Sequence, residues 1–123
     1  MVTMISLPIT QDRLRQLALV CRTPNLRINP PDIDIANGWL PLTVTDPVTL
    51  SLFTDASAWE FIADCLVGGV AVRHKPPSAL HDDNAYELVA SPPNGRRGIY
   101  MKVALRGDVK KLVGLSFHYE RHT

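Results

Sequence analysis

Between Ile99 and Tyr119 the chain alternates twice, and this constrains the fold more than any other stretch. Ile99, Met101, Val103 and Leu105 occupy every second position, with Tyr100, Lys102, Ala104 and Arg106 between them. Val113, Leu115, Phe117 and Tyr119 repeat the pattern, interleaved with Leu112, Gly114, Ser116, His118 and Glu120. A period of two is that of a strand burying one face, and the polar segment Gly107 to Lys111 reads as a hairpin loop. Both apolar sets share a face only if odd positions oppose odd positions, because a one-residue slip would expose one whole set. The simplest such register sets Tyr100 opposite His118 and Lys102 opposite Ser116, with Cβ separations of about 4.5 to 5.5 Å. A phenol, an imidazole, an ammonium and a hydroxyl then share the polar face, which could equally be the plain solvated side of a sheet.

The rest of the chain supplies layers for this hairpin. Thr10 can cap a helix with the stripe Leu14, Leu17, Ala18 and Cys21, ending near Arg22 because Thr23 precedes Pro24. Asp32 to Ile35, the turn signal Asn37-Gly38, and Trp39 to Val44 read as a second hairpin. Pro41 marks its edge, and Asp32 and Asp34 read as edge protection. Val48 to Phe53 is a short strand or connector. Thr54 to Leu66 is a helix with a capping box expected at Ser57 to Glu60, an apolar stripe of Ala58, Trp59, Ile62, Cys65 and Leu66, and a stop at Gly68-Gly69. Val70 to Val72 leads into Arg73-His74-Lys75 ahead of Pro76-Pro77, and Ala85 to Ala90 has strand character. For Glu87 to share the polar face with Tyr100, the loop around Pro92 to Gly98 must hold an even number of residues; an odd loop would turn a carboxylate into the core. The expectation is one α+β domain with an antiparallel sheet of three or more strands packed on helices. Residues 1–53 give a helix and a β-hairpin, and 54–123 a helix and the sheet that carries the site.

Charge is balanced overall but not along the chain. Up to Val67 four arginines face seven carboxylates, whereas from Gly68 onward nine lysines and arginines face five, and all four histidines lie there. The second part is therefore the side suited to an anion. Cys21 and Cys65 each fall in an apolar helical stripe, as reduced core thiols do. No apolar run approaches the roughly 20 residues of a membrane span, and the early residues lack the pattern of a signal peptide, so a cytoplasmic protein with no membrane partner is expected.

The sequence holds no Gly-rich phosphate loop, no Cys-x-x-Cys and no nucleophile elbow. His118 and His122 have an H-x3-H spacing, but alternation argues against a shared metal, and neither metal nor cofactor is expected. RNA cleavage by its own 2′-OH needs only a base, an acid and cations around the phosphorane. His118, Glu87, His74 and Tyr100 could act on protons, and Lys75, Lys102, Arg73, Arg121 and Ser116 could hold the phosphate.

The run IYMKVALRGDVKKLVGLSFHYER resembles the end of the MqsR-type toxins, small ribonucleases of toxin–antitoxin systems in the wider barnase/RelE-like group. In that comparison Tyr100 falls on the family's catalytic tyrosine, His118 on its catalytic lysine, Glu87 in AYELVA on a functional glutamine, and Lys75, or His74 beside it, near a second lysine. The likeness spans about Trp59 to Arg121, and Met1 to Phe53 is unlike the family. It implies a metal-independent endoribonuclease with RNA as substrate and an antitoxin as partner, although histidine for lysine and glutamate for glutamine forbid copying the acid and base roles. The other reading is a non-enzymatic interaction module, partner-binding or immunity-type, that uses the charged sheet face and the N-terminal hairpin as contact surfaces.

Overall fold

The computed structural model describes residues 9–29, 38–76, 84–92, 97–106 and 111–120. Thr10 caps the first helix, α1 (Gln11–Cys21), by accepting from the Arg13 N–H, and the helix closes at Arg22. Its apolar stripe buries Leu17, Ala18 and Cys21. A 3₁₀ turn at Pro24–Leu26 leads into a two-residue strand, β1 (Arg27–Ile28). The second long helix, α2 (Asp55–Val67), buries Ala58, Trp59, Ile62, Ala63, Cys65 and Leu66. Its capping box lies one turn earlier than expected, at Thr54 and Ser57, because each hydroxyl there reaches the other residue's backbone N–H.

After α2 come β2 (Val72–Lys75), β3 (Asn84–Ala90), β4 (Ile99–Arg106) and β5 (Lys111–Tyr119), each antiparallel to the next. The sheet order is β1-β5-β4-β3-β2, with β1 parallel to β5. The chain is thus an α+β domain: four antiparallel strands of the C-terminal half, with a short parallel strand at one edge, packed on two helices. No helix among the described residues is long and apolar enough to cross a membrane.

Strand alternation decides which face meets the helices. Tyr86 and Leu88 of β3, Ile99, Met101 and Val103 of β4, and Leu112 and Phe117 of β5 form one core with α1, α2, Phe53, Val44 and Trp39. Tyr100 faces His118 and Lys102 faces Ser116, the simplest register that the parity argument allows. Beyond Lys102 the pairing shifts, and Val103 faces Gly114 instead of Leu115. Leu115 is the extra residue of a β-bulge, so Leu112 takes the core position that alternation assigned to the odd residues, while Val113 and Leu115 stay half-exposed. Gly114 explains the shift. A Cβ there would come within 2.5 Å of Trp39 Cζ3, so only a glycine lets the indole lie against the strand.

Of the expected second hairpin only the arm from Trp39 to Val44 lies among the described residues, and it takes another form. Asp32, Asp34 and Asn37 lie outside the described residues, as do residues 78–83, 107–110 and 121–123. Trp39 makes an isolated parallel bridge to Phe117, and Pro41–Thr43 is a 3₁₀ helix instead of a strand. Pro41 stands at the start of that helix, where its fixed φ fits and its missing N–H costs nothing. Thr45 and Leu52 then bridge across a tight turn, which makes Val48 to Phe53 a connector. The connection 91–98 between β3 and β4 holds an even number of residues, and Glu87 accordingly lies on the face away from the core.

Candidate functional site

Register lays the helix-free face out as rows across the strands. Tyr100 is flanked by Val89 on β3 and His118 on β5. One step along, Arg73, Glu87, Lys102 and Ser116 stand in line over β2, β3, β4 and β5. In the next row Lys75 faces Ala85, which faces Ala104. Arg73, Lys75, Glu87, Tyr100, Lys102, Ser116 and His118 are therefore brought to one face by alternation alone.

Glu87 is the hub. Its side chain is 14% exposed, and Oε2 accepts from the Tyr100 hydroxyl at 2.5 Å and lies 3.3 Å from Lys75 Nζ. Arg73 stands 3.9 Å from Oε1. Burial works against the carboxylate, yet the Tyr100 hydrogen bond and the Lys75 and Lys102 charges outweigh it and hold Glu87 below the ordinary glutamate range. The converse applies to Tyr100. Burial, then the hydrogen bond to a neighbouring anion, push its phenol well above the usual tyrosine value, so it stays protonated.

His118 lies beside Tyr100, with ring centroids 5.3 Å apart and planes tilted by 37°. Its Nδ1 is 2.7 Å from the Tyr119 carbonyl oxygen. A carbonyl only accepts, so Nδ1 carries the proton and donates it, which leaves Nε2 as the atom able to take or give one. No contact joins His118 to Glu87 directly; Tyr100 stands between them. The hydrogen-bonded pair is thus a carboxylate and a phenol, with the imidazole alongside.

His74 is not part of this cluster. It alternates with Arg73 and Lys75, so it faces the helix side, where it stacks on Tyr86 at 4.8 Å between ring centroids and donates from Nε2 to Asn84 Oδ1 at 2.8 Å. Ser116 is in line but buried, 8% exposed, with little surface for a ligand. Arg121 lies outside the described residues. Among the described residues no group of three or more His, Cys, Asp or Glu side chains could hold a metal ion.

A cleft of about 410 Å³ opens on the β2 side of Tyr100, lined by Ala71, Val72, Arg73, Lys75, Glu87, Leu88, Val89 and Tyr100. Ala71 and Val89 were missed as part of the site, although Val89 follows Glu87 by two and so must share its face. Comparison with protein-family models, with curated proteins and with solved structures finds no match to this chain.

Proposed function

We propose that the chain is a metal-independent ribonuclease, the toxin of a toxin–antitoxin pair, that cleaves RNA by attack of the 2′-OH on the helix-free sheet face. The observation that carries this reading is the Glu87–Tyr100 hydrogen bond with His118 alongside and Lys75, Arg73 and Lys102 on the same face. The resemblance to MqsR-type toxins adds support, since Tyr100, His118, Glu87, and Lys75 or His74 are the positions it singles out.

In this mechanism Glu87 is the base and acts through Tyr100. The 2′-OH gives its proton to the Tyr100 oxygen as the Tyr100 proton passes to Glu87, and the 2′-oxygen attacks phosphorus. The bond to the 5′-oxygen breaks, and protonated His118 delivers a proton to that oxygen from Nε2. The products are a 2′,3′-cyclic phosphate and a 5′-hydroxyl. Lys75, Arg73 and Lys102 neutralise the phosphorane. A bound phosphate also draws Lys75 from Glu87, which removes one of the charges that suppress its basicity.

A second reading, the interaction module, is favoured by the turn at 45–52. Val48, Leu50 and Leu52 are 81%, 63% and 59% exposed there, and Leu50 holds the left-handed backbone (φ 63°) that a leucine adopts at a cost. The two readings separate in one experiment. Expression of the chain alone should arrest growth and the purified protein should cleave RNA in EDTA, with His118→Ala abolishing both; growth and intact RNA with a folded parent protein would leave the interaction module.

A further inference from the structure

The rows on the helix-free face differ in kind. Ala71, Val89, Tyr100 and His118 offer apolar and ring surface, with Ala71 and Val89 exposed beside Tyr100 in the cleft. One step along the strands, Arg73 and Lys102 bracket Glu87, and Lys75 reaches toward it from the next position. The Arg73 side chain is 65% exposed and Lys75 41%. Adjacent strands are about 4.8 Å apart, so β5 to β2 spans about 14 Å. That is too wide for the nucleotide at the Tyr100–His118 pair alone.

Resting on the ribonuclease reading, we infer that this face is a track for single-stranded RNA running across the strands from β5 to β2. The base of the nucleotide one step beyond the scissile pair lies in the cleft on Ala71 and Val89, and the scissile phosphate lies on Arg73 and Lys75. Bases stack on apolar and aromatic surface whatever their identity, while the backbone follows the cations. The charge pattern selects this occupant. Three cations surround a single carboxylate that is already neutralised by its neighbours, so the face attracts an anion, and the apolar row beside them suits the flat faces of bases. A duplex hides those faces and does not fit.

The test compares substrates of increasing length. Adding one nucleotide to an RNA dinucleoside monophosphate, on one of its two sides, should raise kcat/KM about tenfold or more, as one stacked base would. Val89→Glu, a change at a surface position, should bring that ratio to near one, and Val89→Trp should increase it; circular dichroism checks that both variants fold. In parallel, a 2′-deoxythymidine tetranucleotide, which binds but is not cleaved, should shift the Ala71 and Val89 methyl resonances, and an RNA duplex should not. Cleavage at equal rates for short and long substrates would overturn the track while leaving the ribonuclease reading. Methyl shifts on the deoxy-oligonucleotide with no cleavage of any RNA would support the track and overturn the chemistry. Shifts produced by an alternating Glu-Val peptide and not by the oligonucleotide would overturn the track in favour of an acidic protein partner.

Discussion

The Tyr100 hydroxyl donates to Glu87 Oε2 at 2.5 Å along a diagonal of the β3–β4 pair, since Glu87 faces Lys102 directly and Tyr100 faces Val89. Diagonal neighbours are within reach only of long or aromatic side chains, and here both partners are long enough. The bond ties a proton donor to a carboxylate that would otherwise be costly to bury.

The first prediction follows from that pair. Glu87 is held below its ordinary range despite burial, by Tyr100, Lys75 and Lys102. A carboxyl with a depressed native value contributes stability that is complete above its unfolded value and lost as pH falls through the native one. Glu87→Gln should therefore cost about 1 to 2 kcal/mol at pH 7, with little of it from the exposed Arg73. The gap to the parent should narrow as pH falls below the ordinary glutamate range. Urea midpoints across that range measure it; a gap that does not change with pH would mean that the charge of Glu87 is not what stabilises.

Gly114 supplies the second. With Trp39 Cζ3 within 2.5 Å of where a Cβ would stand, Gly114→Ala should destabilise by about 1 to 3 kcal/mol, the usual cost of overpacking, and should alter tryptophan fluorescence. Trp39 also lies 5.2 Å from Trp59 and 5.9 Å from Phe117, centroid to centroid, so its displacement would disturb the whole aromatic cluster. A Gly114→Ala melting point within a degree of the parent would show that the indole moves aside freely.

These residues also show how far the sequence could be read. Parity together with the simplest hairpin register places Tyr100 beside His118, because two apolar sets that must share a core allow only odd against odd positions. The bulge breaks that parity beyond Lys102. Its mark was present as an isolated glycine inside a strand pattern, but the reason for it, Trp39 packing from far away in the chain, is tertiary. The place of His74 is legible, since alternation keeps it off the face that carries its neighbours Arg73 and Lys75. The two-residue β1 carries no periodicity, so only the structure reveals a parallel edge strand. Pro41 suits both an edge strand and the start of a helical turn, and the local pattern does not choose between them. The Glu87–Tyr100 bond depends on a diagonal between strands joined by a loop, and no local pattern specifies it.

The cysteines give the third prediction. Both are buried and free, and burial pushes each thiol up to about 12. At pH 8 neither is a thiolate, so the native protein should resist iodoacetamide, whereas two equivalents should react in urea. Fast labelling of the native chain would mean that α1 and α2 part readily.

The last prediction concerns the chemistry and its pH dependence. In the proposed reaction Glu87 must be ionised to act as the base, so kcat/KM should fall toward acid pH along a limb set by Glu87. The depressed state of Glu87 places the acid limb below the ordinary carboxylate range in the free enzyme. With substrate bound, the phosphate draws Lys75 away and the same limb in kcat should move upward. Lys75→Met should raise the limb in kcat/KM toward that in kcat, because one of the cations that suppress Glu87 is gone from the start. His118→Ala and Tyr100→Phe should each lower kcat on the order of 100-fold. Their effects should differ in form, because Tyr100→Phe removes the relay between the 2′-OH and Glu87 and so abolishes the acid limb, whereas His118→Ala removes the proton donor to the 5′-oxygen and leaves that limb in place. An acid limb that persists in Tyr100→Phe would mean that Glu87 acts without the phenol, and the relay would have to be given up.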